Sequence, residues 1–396
     1  MKKLFCFLFV LLFIASGCNK EINTPNRESD KENRIEEQLK EMSLEEKIGQ
    51  MLIVSYEGTS VTEELFSLLN QVKPGGFILF SNNFSDYEQT QKLIADIKST
   101  SEIPMFISID QEGGRVQRIK NLSDQEVTII PPMYEIGLTR DEDFAYQVGK
   151  VIGEELRVFD INMDFAPVLD IYSNPNNTVI GDRSFGTTSD IVSTMAISLA
   201  SGLQDTGVIS VYKHFPGHGD TLEDSHDTLP IVTKTKEELM NFELIPFIQA
   251  IENGAEAIMV GHIAVPSITK DNTPATLSKV LIQGLLKDEL GFQGLVITDG
   301  LNMKSLTNLY SQEEIYINAI LAGVDILLMP EFSLNTIEII KNAVLNGEIS
   351  EERIDDAVTK ILTLKHEKLS NDNPYTRDYL NSINHKEIIN KIKSAN

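Results

Sequence analysis

The chain has 396 residues, 41% of them hydrophobic, and a formal charge of -25 at pH 7. A surface of that sign repels nucleic acid and gives no pull toward anionic lipid, so neither is expected as a partner; the charge chiefly serves solubility. Both cysteines, Cys6 and Cys18, stand at the beginning of the chain, which leaves the body without a disulfide framework and dependent on its core.

Lys2 and Lys3 open the chain, and Leu4 to Ile14 is almost wholly apolar, too short for a permanent transmembrane helix. Small residues, Ala15-Ser16-Gly17, precede Cys18 and resemble a bacterial lipoprotein signal. That reading makes residues 1–17 a signal peptide and Cys18 the lipidated first residue, so the protein is expected outside the cytoplasm, anchored to a membrane by its lipid. A plain signal peptide cut elsewhere is the alternative. Asn19 to about Ile35 is polar and lacks aromatic residues, which predicts a flexible tether over 18–38. Residues 39–370 have the length of one α/β barrel, and 371–396 read as a polar tail.

The body alternates short apolar runs with amphipathic stretches. Strands are predicted at Met51 to Ser55, Gly76 to Phe80, Met105 to Asp110 and Met163 to Leu169, then at Val208 to Tyr212, Ala257 to Gly261, Leu295 to Thr298 and Val324 to Met329. Their continuous apolar character suits strands buried on both faces. Ser43 to Glu46, Ser85 to Glu88, Thr235 to Glu238 and Ser311 to Glu314 each read S/T-x-x-E, the capping box that satisfies free N–H groups at a helix start. Strand then helix, eight times over, predicts a single α/β domain, a (β/α)8 barrel of the TIM type. An open doubly wound sheet is disfavoured because no G-x-G-x-x-G turn is present. The helix after the third strand comes late, so Gln111 to about Arg140 is a candidate wall of the site.

Polar residues concentrate at the strand C-termini, where barrels carry their active sites. The third strand ends in IDQEGGRVQRI (109–119) and the fourth is DFAPVLDI (164–171). GDRSFG (181–186), KHFPGHGDT (213–221), DSHDTLP (224–230), Gly261-His262 and TDGLNM (298–303) follow. A single strand-end aspartate is usually a helix cap or an ion-pair partner. Carboxylates, imidazoles and cations on successive strand ends point instead to a site.

In order and spacing these motifs resemble family 3 glycoside hydrolases, in particular the bacterial single-barrel N-acetyl-β-glucosaminidases, over roughly residues 40 to 365. KHFPGHG marks the wider family, and DSH narrows it to the hexosaminidase branch. The resemblance implies Asp299 as nucleophile, His226 as acid/base and Asp224 as its partner. It implies that Asp110, Arg118, Arg183, Lys213 and His214 hold the hydroxyls and acetamido group of the sugar. The carbohydrate would be a peptidoglycan fragment or a short chitin oligomer, attacked in exo fashion at one terminal sugar. Gly300 departs from relatives that often carry a side chain after the nucleophile, which could loosen that turn.

The residue types fit this chemistry. A carboxylate can attack a cation-like anomeric carbon, and an imidazole titrating near neutrality can protonate the leaving oxygen and later deprotonate water. Gly217 and Gly219 are expected to let backbone approach the sugar, His218 and Asp220 to brace the DSH loop, and Gly113-Gly114 to make a turn. Glu112 is expected behind the sugar-binding residues. Asp164, Asp170 and His262 stay open between site and scaffold. No metal or other cofactor is expected, because the H-x-H and H-E-x-x-H spacings of zinc sites are missing. The rival readings are a β-glucosidase or β-xylosidase of the same family, a phosphorylase using phosphate as acceptor, and a carbohydrate-binding lipoprotein without catalysis.

Overall fold

The structure is a computed structural model that describes residues 27–120, 122–124, 127–221, 225, 228–369 and 373–395. The expected signal peptide, Cys18, Asp224 and His226 lie outside the described residues. Eight strands form: β1 (Leu52–Val54), β2 (Gly76–Leu79), β3 (Phe106–Ile109), β4 (Met163–Asp164), β5 (Ile209–Phe215), β6 (Ala257–Val260), β7 (Leu295–Thr298) and β8 (Leu327–Leu328). Each falls within or across its predicted run. All pairings are parallel, in the order β7-β6-β5-β4-β3-β2-β1-β8. A parallel bridge between Ile297 and Ile326 joins the two ends of that order, so the sheet rolls into the expected (β/α)8 barrel. Every strand residue is buried, the inner faces against each other and the outer faces against helices, which is why the runs are mostly apolar, with polar residues gathered toward the C-terminal ends.

Three of the four predicted capping boxes form, at Ser43 with Glu46, Thr235 with Glu238 and Ser311 with Glu314. The fourth is shifted by one residue. Asp86 caps helix Tyr87–Lys98 by accepting the Gln89 N–H, and the Gln89 amide oxygen turns back to accept the Ser85 N–H. Two short polar side chains in a row compete for one cap, and the charged carboxylate takes it.

The wall after β3 also differs in part from expectation. Within it, helix Met133–Thr139 forms before helix Glu142–Val158. Its Gly137 lies so close to the Phe185 backbone that a Cβ would come within 1.7 Å of the carbonyl oxygen. This packing ties the wall to the loop after β4.

The expected tether and the expected polar tail both contain helices. Helix Arg27–Glu41 occupies part of the expected tether, with Ile35 buried in the core cluster and Gln38 bonded to His366 of helix Glu351–Lys368 at 3.0 Å. Beyond residue 372, helices Arg377–Ser382 and His385–Ala395 replace the expected polar tail and fold back on helix Glu142–Val158. Their few apolar residues are spaced to face inward, and Leu380 and Ile389 are both 6% exposed. Composition averaged over the segment hid that placement.

His385 secures this C-terminal return. Its Nε2 lies 2.8 Å from Glu154 and its Nδ1 3.2 Å from Glu155. Burial alone would lower its pKa, but the two carboxylates raise it to about 9. A folded pKa above the unfolded value near 6.5 means the contact stabilises fully below 6.5 and is lost as pH rises through about 9. Limited proteolysis of the C-terminal helices should therefore accelerate by roughly tenfold or more across that window, and His385→Leu should abolish the pH dependence.

Candidate active site

The β3 and β5 termini place most of the charge. The Gly113-Gly114 turn, with φ of 107° and 53°, folds the chain so that Asp110, Glu112 and Arg118 line one cavity. On β5 the register shifts between Tyr212 and Phe215. This irregularity breaks the usual alternation, and the consecutive Lys213 and His214 both reach that cavity. Arg183 enters from the loop after β4 and Asp299 from the end of β7. The cavity measures about 400 Å³, within the roughly 300–1,000 Å³ of small-molecule sites. Ile78, Leu328, Met259 and Met303 supply apolar wall. All six described residues expected in the site, Asp110, Arg118, Arg183, Lys213, His214 and Asp299, thus converge.

Glu112 is the hub of the cationic side. Arg183 donates to it through two nitrogens, Nε to Oε2 at 2.8 Å and Nη2 to Oε1 at 2.7 Å. Lys213 Nζ lies 2.6 Å from Glu112 Oε1 and 2.8 Å from Asp110 Oδ1. Arg118 reaches the other Asp110 oxygen at 3.4 Å and stacks over Phe80. Burial alone would raise the Glu112 pKa, but Arg183 and Lys213 hold it far below the usual carboxylate range. For Lys213, burial alone would lower the pKa, and Asp110 with Glu112 raise it. Cations and anion therefore all stay charged without water around them, presenting fixed donors and acceptors to a ligand.

His214 is held by Asp170, one of the residues left open by sequence. The ring donates from Nδ1 to Asp170 Oδ2 at 2.7 Å, which leaves Nε2 as the other ring nitrogen to meet a ligand. The second Asp170 oxygen accepts the His218 N–H at 2.6 Å. The His218 ring lies 2.6 Å from Thr221 Oγ1 through Nδ1 and 3.3 Å from Ser225 Oγ through Nε2. Ser225 stands between Asp224 and His226 and lines the same cavity as Asp299. His218 therefore does brace this loop. Asp220 pairs with Lys234 at 3.2 Å, at the loop's base.

The other open assignments separate as well. Asp164 is buried and accepts the Gln111 N–H at 2.8 Å; with burial dominant over the pull of that bond and of Lys213, its pKa rises to about 8. It is a scaffold acid whose neutral form burial favours. His262 lies under the β7 turn rather than on the cavity wall. Gly217 and Gly219 need correction: neither lines the cavity, and a Cβ at Gly219 would come within 1.7 Å of Ile171 O. Gly219 lets the β5 loop pack on the β4 loop, and Gly217, at φ 121°, turns the chain beside Glu243, so neither packs on a ligand. Arg115, given no role by sequence, ties the third-strand loop to the fourth by donating to the carbonyls of Thr178, Val179 and Ile180.

Asp299 is only partly buried and faces the cavity. Burial alone would raise its pKa, but His262, His214, the Gly300 N–H at 2.7 Å and Lys213 bring it to about 2. It is thus an ionised carboxylate at any working pH, open to a ligand and flanked by groups that can grip one.

An eight-stranded parallel barrel with ionised side chains converging on a cavity at its strand ends is the architecture of a barrel enzyme, and comparison gives the family. The model for the glycosyl hydrolase family 3 N-terminal domain matches residues 43–364, and the chain belongs to that family. A Nitrosomonas eutropha beta-hexosaminidase is 35% identical over 70% of this chain and 80% of its own length. Beta-hexosaminidase A of Pseudoalteromonas piscicida is 33% identical over 78% of this chain, which spans 56% of that protein. Among solved structures, the family 3 beta-N-acetylglucosaminidase of Paenibacillus sp. str. FPU-7 is 36% identical, with a TM-score of 0.82 over 89% of this chain and 69% of its own.

The Glu112 hub is directly testable. Glu112→Gln would leave Arg183 and Lys213 buried with one anion fewer, a change expected to cost about 3–5 kcal/mol of stability. Denaturant melts should show that loss, together with a KM raised by roughly tenfold or more as the donors disperse.

Proposed function

We propose that this chain is a retaining exo-β-N-acetylglucosaminidase. Asp299 attacks the anomeric carbon of a terminal β-linked N-acetylglucosamine, forming a glycosyl-aspartate as the bond to the leaving oxygen breaks. His226, oriented by Asp224, donates its proton to that oxygen and then takes one from the water that releases the sugar. Lys213, His214, Asp110, Arg118 and Arg183 hold the hydroxyls and the acetamido group.

One observation carries the reading: an ionised Asp299 and Ser225, the centre of the DSH run, line a single sugar-sized cavity with these polar residues. The resemblance of DSH to the hexosaminidase branch and the names of the relatives support N-acetylglucosamine over glucose. The substrate we favour is a peptidoglycan fragment, N-acetylglucosamine linked β-1,4 to N-acetylmuramic acid, with chitin oligomers as the alternative. The sequence at Cys18 supports a lipid-anchored protein acting outside the cytoplasm.

The purified enzyme should hydrolyse p-nitrophenyl N-acetyl-β-glucosaminide at least about 100-fold faster than the matching glucoside, since a site built for polar groups discriminates strongly against a ligand lacking them. Proton NMR should show the β-anomer as first product. Asp299→Ala and His226→Ala should each lower kcat by roughly 10³-fold or more without loss of fold. A first-formed α-anomer, or near-normal rates in both variants, would contradict the mechanism. For the anchor, Cys18→Ala should move the protein from the membrane to the soluble fraction.

A further inference from the structure

The fixed direction of the Asp299 carboxylate has a structural source beneath the cavity. Its own N–H donates to Val260 O at the end of β6 (2.9 Å), and its Oδ1 accepts the Gly300 N–H. The carbonyl of that same Gly300 lies 2.9 Å from Nε2 of His262, a fully buried imidazole. A carbonyl oxygen can only accept, so Nε2 carries a hydrogen and donates. On the far side, Nδ1 lies 2.7 Å from Thr276 Oγ1, and that hydroxyl is 3.1 Å from Gly261 O. If the hydroxyl donates to Gly261, it accepts from Nδ1 and the ring is cationic; if it turns to Nδ1, the ring is neutral. Either state keeps the Nε2–H on Gly300.

Gly300 has no side chain to hold its conformation, so its backbone direction rests on what its N–H and carbonyl meet. The N–H meets Asp299, and the carbonyl accepts both from the buried His262 ring and, within the turn itself, from the Met303 N–H at 3.1 Å. The expected looseness of this turn is thus countered from below. We propose that His262 is a positioning residue for the nucleophile: through Gly300 it aims the Asp299 carboxylate at the anomeric carbon. In its cationic state His262 also heads the charges that offset burial in keeping Asp299 ionised. This rests on the reading of Asp299 as nucleophile.

The test compares His262→Leu with His262→Gln, whose amide can donate to Gly300 O and accept from Thr276. His262→Leu should lower kcat roughly 100-fold, the scale on which misplaced reacting groups cost rate, while the inhibition constant for N-acetylglucosamine stays near wild type. His262→Gln should recover most of that rate. Unchanged kcat in His262→Leu would overturn the proposal, as would equal losses in both variants with sugar affinity falling in step. Asp299→Gly with added azide separates the two levels. Formation of the α-glycosyl azide would uphold Asp299 as nucleophile whatever the His262 variants do; its absence would remove that reading and this proposal together.

Discussion

A buried anion between two cations organises this site. Glu112, 3% exposed, takes two hydrogen bonds from Arg183 and an ion pair from Lys213. These three residues come from the loop after β3, the loop after β4 and β5 itself, so one cluster fixes three parts of the rim relative to each other. An unpaired charge at that depth would be very costly, and satisfying Glu112 requires all three segments to arrive together. The Arg115 contacts to carbonyls 178–180 and the packing of Gly137 on Phe185 repeat the same tie with backbone groups.

Around that cluster the work divides. The Lys213–Asp110–Arg118 side offers rigid charged donors and acceptors, the kind of surface that reads hydroxyl and amide positions. The His214–Asp170–His218–Ser225 chain continues the same rigidity toward the segment that carries the DSH run. Asp299 sits between the two, and its low pKa arises from neighbours on β5, just past β6 and at Gly300 outweighing its burial. Preorganisation of this kind means little rearrangement is needed as charge develops in the reaction.

Much of the fold was legible because a parallel barrel strand buries both faces and so must be mostly apolar. All eight runs stood out for that reason. Capping was legible where one short polar residue preceded the helix and failed at Ser85, where the neighbouring Asp86 takes the cap one residue later by accepting the Gln89 N–H. The two ends were misread because helices Arg27–Glu41 and Arg377–Ser382 bury only a few apolar residues, a signal that disappears in average composition.

For the site, strand-end chemistry pointed to the right residue types, and six described candidates meet in one cavity. By itself the sequence determined the barrel and the inventory of reactive side chains, since both follow from local patterning and from residues that have few uses away from a site. Tertiary structure alone decided how those side chains are coupled. Glu112 became the hub, Asp170 the anchor of His214, Asp164 a scaffold acid, and Gly219 a packing contact through neighbours up to about a hundred residues away in the chain, as Lys213 and Asp110 show with a separation of 103. Charge state and orientation depend on such distant partners, and no local pattern encodes them.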